Sequence, residues 1–416
     1  MQKIENFISE TIANHVFDIS HQAYSELQTI LDSETIKELT LYLRRDEDKK
    51  FKNSVAKIVE DFHTKENLLL LIESLRAKQK PPKGIIKSKG SDKKSKICTL
   101  FYATNRKPKK KGYGDKRSRE ISLGTCDVYI PESHKRGEIS SSLLKKIIKF
   151  DMSHGELKVK SINPKDSFDF WSDLNELLAP LEEEEKQALI FLHGYNTSFK
   201  DAAIRTAQIA VDIEYPGVTA FFSWPSKGSL WGYLSDEASI QYSERYITKF
   251  LVDFCNNSGA NRIHIIAHSM GNRGLVEAID TIKKEHSHIK FGQIILAAPD
   301  VDADVFNQKA FAYTEVSDLT TLYVSSKDKA VGASEWIHAY DRIGFTPPVK
   351  VIEDIDTIEV DEEVNLLDLG HGYFAQHKAI LEDIEELLNL NLHAQDRPKL
   401  TRKRDKESKR YWKLKV

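Results

Sequence analysis

The chain has 416 residues, too many for one ordinary domain, so two or three are expected. Hydrophobic residues make up 40%, enough for a sizeable core, yet the longest aliphatic run is Leu68 to Ile72, far short of the ~20 residues a spanning helix needs. The net charge of −2 conceals an acidic body: the stretches 78–96, 105–119 and 397–416 hold 26 of the 61 Lys and Arg but only 4 of the 63 Asp and Glu, which argues against nucleic acid as a partner of the body and leaves only local contacts through the basic segments.

Residues 1–76 read as all-helical. Ile4, Phe7, Ile8, Ile12, Val16 and Ile19 recur at helical spacing, as do Val55, Ile58, Val59 and Phe62, and neither glycine nor proline interrupts them before Pro81. A small bundle is expected, serving as an interaction or regulatory module through which the chain recruits a partner or self-associates. The start, MQKIENFISE, lacks the basic region and apolar core of a signal peptide. A cytoplasmic location is expected, with peripheral contact at the inner membrane face left open. Residues 77–96 combine Pro-Pro, two glycines and eight lysines and read as a solvated linker.

Strand character resumes at ICTLFYAT, 97–104, and again at ISLGTCDVYI, 121–130, with the basic run between them expected as a long exposed connection. From residue 188 the rhythm changes. ALIFLHG, VTAFFSWP, RIHIIAHS, QIILAAPD, TTLYVSSKD and VKVIED are short apolar runs alternating with amphipathic segments such as 201–213 and the face formed by Ile247, Phe250, Leu251 and Phe254. This alternation predicts a mostly parallel sheet covered by helices on both faces. Chemistry in such sheets sits just beyond the carboxyl ends of the strands.

Ser269 occupies that position in the run His264 to Asn272, with a helix expected from about Asn272. Strand, sharp turn and helix are the setting of a nucleophile elbow, and the positions two either side of the serine must be small; here they are Ala267 and Gly271. Serine needs a base, placed late in the chain with an acid between. Asp328 follows the strand-like TTLYVSS, and His371 lies between two glycines in LGHGYF. The imidazole would take the serine proton and the carboxylate would fix its tautomer. Asp300 is the alternative acid and His377 the fallback base. The backbone N–H of Met270 is one expected oxyanion donor, and the turn at His193 and Gly194 supplies the other, from Tyr195. His268 is expected to support the serine rather than to reach its hydroxyl. Phe222, Trp224, Trp231 and Tyr233 follow a strand end and are candidates for an acyl pocket. Cys98, Cys126 and Cys255 fit neither a zinc site nor a disulfide framework, and no phosphate loop or HExxH is present; no metal or cofactor is expected. The acidic triplet Asp300, Asp302 and Asp304 does not make a calcium loop, because Val305 and Phe311 stand where glycine and glutamate are required.

The motifs LFYATNR, FLHGYNTSFKDAAIRTAQIA, FFSWPSKGSLWGYLSDEASI, IIAHSMGNRGL, ILAAPDVDADVF, LYVSSKDKA and GHGYF, in this order over 97–377, resemble the bacterial α/β-hydrolase family catalogued as domain of unknown function 900. The resemblance implies an α/β-hydrolase fold for 97–395, with Ser269, Asp328 and His371 as its triad, and it does not extend to 1–76. A serine esterase or lipase-like enzyme acting on a lipid or acyl ester is therefore expected. The competing expectation is an idle hydrolase scaffold that binds partners through its N-terminal helices and basic tail. That tail, 396–416, interleaves basic residues with Tyr411, Trp412 and Leu414 and is a candidate for contact with an anionic membrane.

Overall fold

The computed structural model describes residues 86–88, 96–134, 136, 157–227, 232–325, 340–360 and 378–414. The helical bundle expected over 1–76 lies outside them. Two compact units make up the chain, and the described residues fall almost entirely in the larger, Lys83–Leu388 with His393–Gln395 and Lys399–Val416.

This unit is built on one mixed sheet. Its strands are β1 Ile86–Ser88, β2 Lys96–Lys109, β3 Gly112–Ile130, β4 Lys158–Lys165, β5 Gln187–Leu192, β6 Val218–Ser223, β7 Arg262–His268, β8 Phe291–Ala297, β9 Ser317–Ser325, β10 Asp356–Val360, β11 Leu400–Arg404 and β12 Arg410–Leu414. The spatial order is β11-β12-β10-β9-β8-β7-β5-β6-β2-β3-β4, with β1 paired to β2. From β12 to β2 every neighbouring pair is parallel. Among the described residues the α-helices are α1 Ser167–Leu178, α2 Phe199–Asp212, α3 Tyr233–Asn257, α4 Gly271–Glu285, α5 Ala303–Val316 and α6 Lys378–Leu390.

The near-continuous apolar runs follow from burial on both faces. In β5, Ala188, Ile190 and Leu192 enter the core beneath α1, α3, α4 and α5, while Leu189 and Phe191 enter the opposite core with α2 and α6. The face predicted for Ile247, Phe250, Leu251 and Phe254 is fully buried. Ser198 caps α2 and exchanges hydrogen bonds with Asp201 in a capping box.

Four segments depart from the sequence reading. The basic run 105–119 is not a loose connection: β2 and β3 pair through it to Lys109↔Gly112, with register shifts on either side of Arg106. Bulges bend the hairpin, Arg106 turns inward, 1% exposed, and Tyr113 packs on Tyr102 and Phe199. VKVIED is not a strand; the run Asp356–Val360, two residues further on, pairs with β9 instead, while Ile352 is buried as a loop side chain. The basic terminal segment forms the hairpin β11–β12, in which Trp412 and Leu414 pair in register with Ile358 and Val360. Leu414 is buried and Trp412 packs on the same core, so these apolar side chains face the sheet. Ile86–Ser88, inside the expected linker, pairs with β2.

Candidate active site

Strand order changes direction between β5 and β7. From β5 the chain passes through α2 to β6 on one side, then through α3 to β7 on the other. Two loops diverge at such a switch point and leave a crevice at the carboxyl ends. The loop after β5 is His193-Gly194-Tyr195, and the turn after β7 is Ser269-Met270. The sequence thus brings the serine and the expected oxyanion turn to one place.

Ser269 is 7% exposed and has φ of 48°. A non-glycine residue in the left-handed region costs roughly 1–2 kcal/mol, which the surroundings must offset. Several hydrogen bonds fix the turn. The Ser269 N–H donates to the Ala297 carbonyl at 2.9 Å, and the Ser269 carbonyl accepts from the N–H of Asn272 at 3.1 Å and of Asp300 at 3.2 Å. The Asn272 side-chain amide donates to the carbonyls of Ala267 and Ser269 at 3.0 and 3.1 Å. Small residues are needed for the reason expected: a Cβ at Gly271 would lie 2.5 Å from the His193 carbonyl oxygen, and one at Gly194 would lie 3.0 Å from Ser269 Cβ. Met270 begins the turn of α4, whose N-terminus favours negative charge beside the serine.

Behind the His193-Gly194-Tyr195 loop lies a buried polar network. The Arg106 guanidinium donates to the Thr197 carbonyl at 2.7 Å, the Ser226 carbonyl at 3.0 Å, the Gly114 carbonyl at 3.1 Å and Ser223 Oγ at 2.8 Å. Asp236, fully buried, accepts from Ser226 Oγ at 2.6 Å, the Lys227 N–H at 2.7 Å and the Asn196 N–H at 3.0 Å. Burial pulls the Arg106 pKa down to about 9, against the attraction of Asp236, so the group stays charged at neutral pH. Burial raises the Asp236 carboxyl, opposed by its hydrogen bonds. Together they tie the loops after β5 and β6 to the hairpin.

His193 belongs to this network and is not a free base. Its Nδ1 lies 2.7 Å from the Gly194 carbonyl and its Nε2 3.2 Å from Ser223 Oγ. Its ring stacks on Trp224 at 4.9 Å, whose indole N–H donates to the His193 carbonyl at 2.8 Å. Burial and the Arg106 charge hold the imidazole well below its ordinary pKa. His268 is lowered to about 4 by burial and by Arg205, which suits a neutral supporting residue. His264, 1% exposed, is lowered to about 3, mainly by burial. Histidines buried neutral stabilise the fold fully above their unfolded pKa, near 6.5, and lose that contribution as pH falls toward the folded value. The melting temperature is therefore expected to decline progressively from about pH 6.5 downward, as thermal unfolding across pH 8 to 4 would measure. A melting temperature that stays level or rises over that window would contradict this linkage.

Asp300, 2% exposed, accepts from the Tyr233 hydroxyl at 2.6 Å and from Arg273 Nη2 at 3.2 Å, and Arg342 lies 3.6 Å away. Arg273 also donates to Glu237 and, at 2.7 Å, to the Asp300 carbonyl. The alternative acid is thus engaged in clamping the elbow's flank. Of the expected acyl-pocket residues, Phe222 and Trp224 are fully buried: Phe222 packs on Phe250, and Trp224 supports His193. Neither forms an open wall. Tyr233 does stand at the site, its ring 5.5 Å from that of Tyr195. Asp328, His371, His377 and Trp231 lie outside the described residues.

Sequence reasoning missed Arg106, Asp236, Asn272 and Arg273. Arg106 stands in a run of lysines and reads as solvated charge, although every residue from Leu100 to Arg106 is buried. The others are ordinary polar helix residues until the fold aims them at a loop.

No curated protein matches the chain. The sequence profile of the family described as "Alpha/beta hydrolase of unknown function (DUF900)" matches residues 170–389, more than half of the chain. With its parallel sheet, strand–turn–helix serine and adjoining His-Gly turn, the chain belongs to this α/β-hydrolase family.

Proposed function

We propose that this protein is a serine hydrolase that cleaves a carboxylic ester, with lipid or acyl esters preferred. Ser269 is the nucleophile, His371 the base and Asp328 the acid that orients it. The observation that carries this reading is the left-handed Ser269 at the strand–helix turn, against the loop that bears Tyr195. The engagement of Asp300 by Tyr233 and Arg273 favours Asp328 as the acid.

His371 takes the proton as Ser269 Oγ attacks the ester carbonyl. The oxyanion is held by the N–H groups of Met270 and Tyr195; one such donor is worth about 3–4 kcal/mol. Collapse expels the alcohol, which leaves with the proton from His371, and an acyl-enzyme remains. Water then attacks, giving its proton to His371, and the carboxylic acid departs as the proton returns to Ser269.

Turnover of p-nitrophenyl esters of graded acyl length tests the assignment. His371→Gln is expected to lower kcat/KM by about 10⁴, whereas His377→Gln retains most activity. Wild-type turnover by His371→Gln, with loss in His377→Gln, would move the base to His377. No turnover by folded wild type on any chain length would favour the idle scaffold.

A further inference from the structure

Five large hydrophobic side chains stand well exposed among the described residues, and four of them sit at the carboxyl end of the parallel strands: Phe168, Leu234, Val305 and Tyr340. Phe168 and Leu234 are the second residues of α1 and α3, and Val305 is the third of α5. These helices start where β4, β6 and β8 end. Tyr340 precedes Arg342, which faces Asp300. Singly exposed apolar residues are ordinary; their collection around one end of the sheet is not. Phe168 is 81% and Leu234 66% exposed.

A strongly basic segment lies at the same end. β2 pairs with β6 up to Thr104↔Ser223, and its continuation into the hairpin lies beyond that carboxyl edge. The hairpin exposes five lysines, from Lys107 to Lys116, together with Arg117 and Arg119. Its acidic members are the exposed Glu120 and the half-buried Asp115, which lies 3.4 Å from Lys227 and 3.7 Å from Lys109. The hairpin is anchored by Arg106 below and by Tyr242, whose hydroxyl donates to the Ser118 carbonyl. It is a fixed cationic surface on a rigid support. Exposed Asp304 and Asp341 occupy the opposite rim and exposed Asp166 and Asp169 flank Phe168, so the lysines of the hairpin meet an anionic surface first.

Cations alone would suit any polyanion. Aliphatic Leu234 and Val305 do not: single-stranded nucleic acid is held by stacking on aromatic rings, whereas a lipid interface accepts aliphatic and aromatic side chains between lysines. The terminal hairpin β11–β12 is also basic, but Leu414 is buried and Trp412 packs on the core, leaving charge without an apolar partner.

We propose that the β2–β3 hairpin, flanked by exposed Phe168 and Leu234, docks the protein on an anionic lipid surface with the Ser269 end turned toward the bilayer. What Ser269 does there rests on the hydrolase reading; the docking itself does not.

Co-sedimentation of the full chain with vesicles tests it. Wild type is expected to pellet with phosphatidylcholine vesicles containing one-third phosphatidylglycerol, not with pure phosphatidylcholine, and to be released by salt. K109Q/K110Q/K111Q should weaken binding by about 100-fold, at the usual contribution of each lysine near such a surface. L234S should weaken it by about tenfold without altering the salt dependence, and K403Q/R404Q should bind as wild type. Equal binding to both vesicles, or no binding, overturns the proposal. So does a triple variant that binds like wild type, or loss confined to K403Q/R404Q. Binding of a single-stranded oligonucleotide in place of vesicles would assign the hairpin to nucleic acid. Fluorophosphonate labelling of the same samples in solution reads the hydrolase assignment separately: labelling without vesicle binding defeats the docking alone, and vesicle binding without labelling defeats the hydrolase alone.

Discussion

Ser269→Ala is expected to lower ester turnover by about 10⁴–10⁶, the loss seen when the nucleophile of such a triad is removed, while the folded structure stays intact. The second half follows from the geometry. The hydrogen bonds that set the turn run from the Ser269 backbone and from Asn272, and alanine keeps them all. Its Cβ occupies the same left-handed site at φ 48° at the same steric cost. The melting temperature of Ser269→Ala should therefore stay close to that of wild type. Ser269→Gly should raise stability by roughly 0.5–1 kcal/mol, because glycine relieves the strain and offsets only part of that gain by its extra unfolded-state entropy. A serine whose replacement by glycine stabilises the fold and abolishes turnover is one held in strain for chemistry. Parallel measurement of kcat/KM and of urea unfolding separates the two effects. Turnover unchanged in Ser269→Ala would remove the elbow from the mechanism.

Arg106→Met should produce the largest loss of stability, about 3–5 kcal/mol, the range for breaking a buried charge network by removing one partner. Methionine fills most of the volume but supplies no donors. The carbonyls of Gly114, Thr197 and Ser226 would lose their partner, and buried Asp236 would lose its principal cation. The loops after β5 and β6 would also separate from the hairpin, displacing Tyr195. Activity should fall with stability, and the residual enzyme should show lowered kcat rather than raised KM, since the oxyanion donor acts in the transition state. Lys107→Met, one residue away and exposed, should shift unfolding by less than about 0.5 kcal/mol. Equal effects of the two substitutions on the urea midpoint would show that the network holds nothing together.

The two residues differ in how far sequence could reach them. Ser269 was legible because an elbow is local: strand, small residue, any residue, serine, any residue, glycine and helix are contiguous, and the small positions follow from a steric need that Gly271 meets beside the His193 carbonyl. The sheet was legible for a similar reason, since strands buried on both faces write unbroken apolar runs. Arg106 was not, because a buried arginine in a run of lysines reads as solvated charge until the bulges of β2 turn it inward. The terminal strands were missed on the same ground: Thr401 to Arg404 carry mostly charge, and only pairing of β12 with β10 reveals that Trp412 and Leu414 have a partner. VKVIED and DTIEV show a further limit. Both alternate, and the choice between them depends on which reaches β9 after a long excursion, information that lies in the connection rather than in either run.

If Ser269 is an activated nucleophile in a formed site, a phosphonylating probe should find it. The protein would be treated with a fluorophosphonate, digested with trypsin and examined by mass spectrometry. The peptide Ile263–Arg273 contains one serine, Ser269, so a phosphonyl adduct on it identifies the residue without ambiguity. The expected result is stoichiometric modification of that peptide in wild type and none in His371→Gln. Folded wild type that remains unmodified, or carries the adduct on another peptide, would show that Ser269 is not an activated nucleophile.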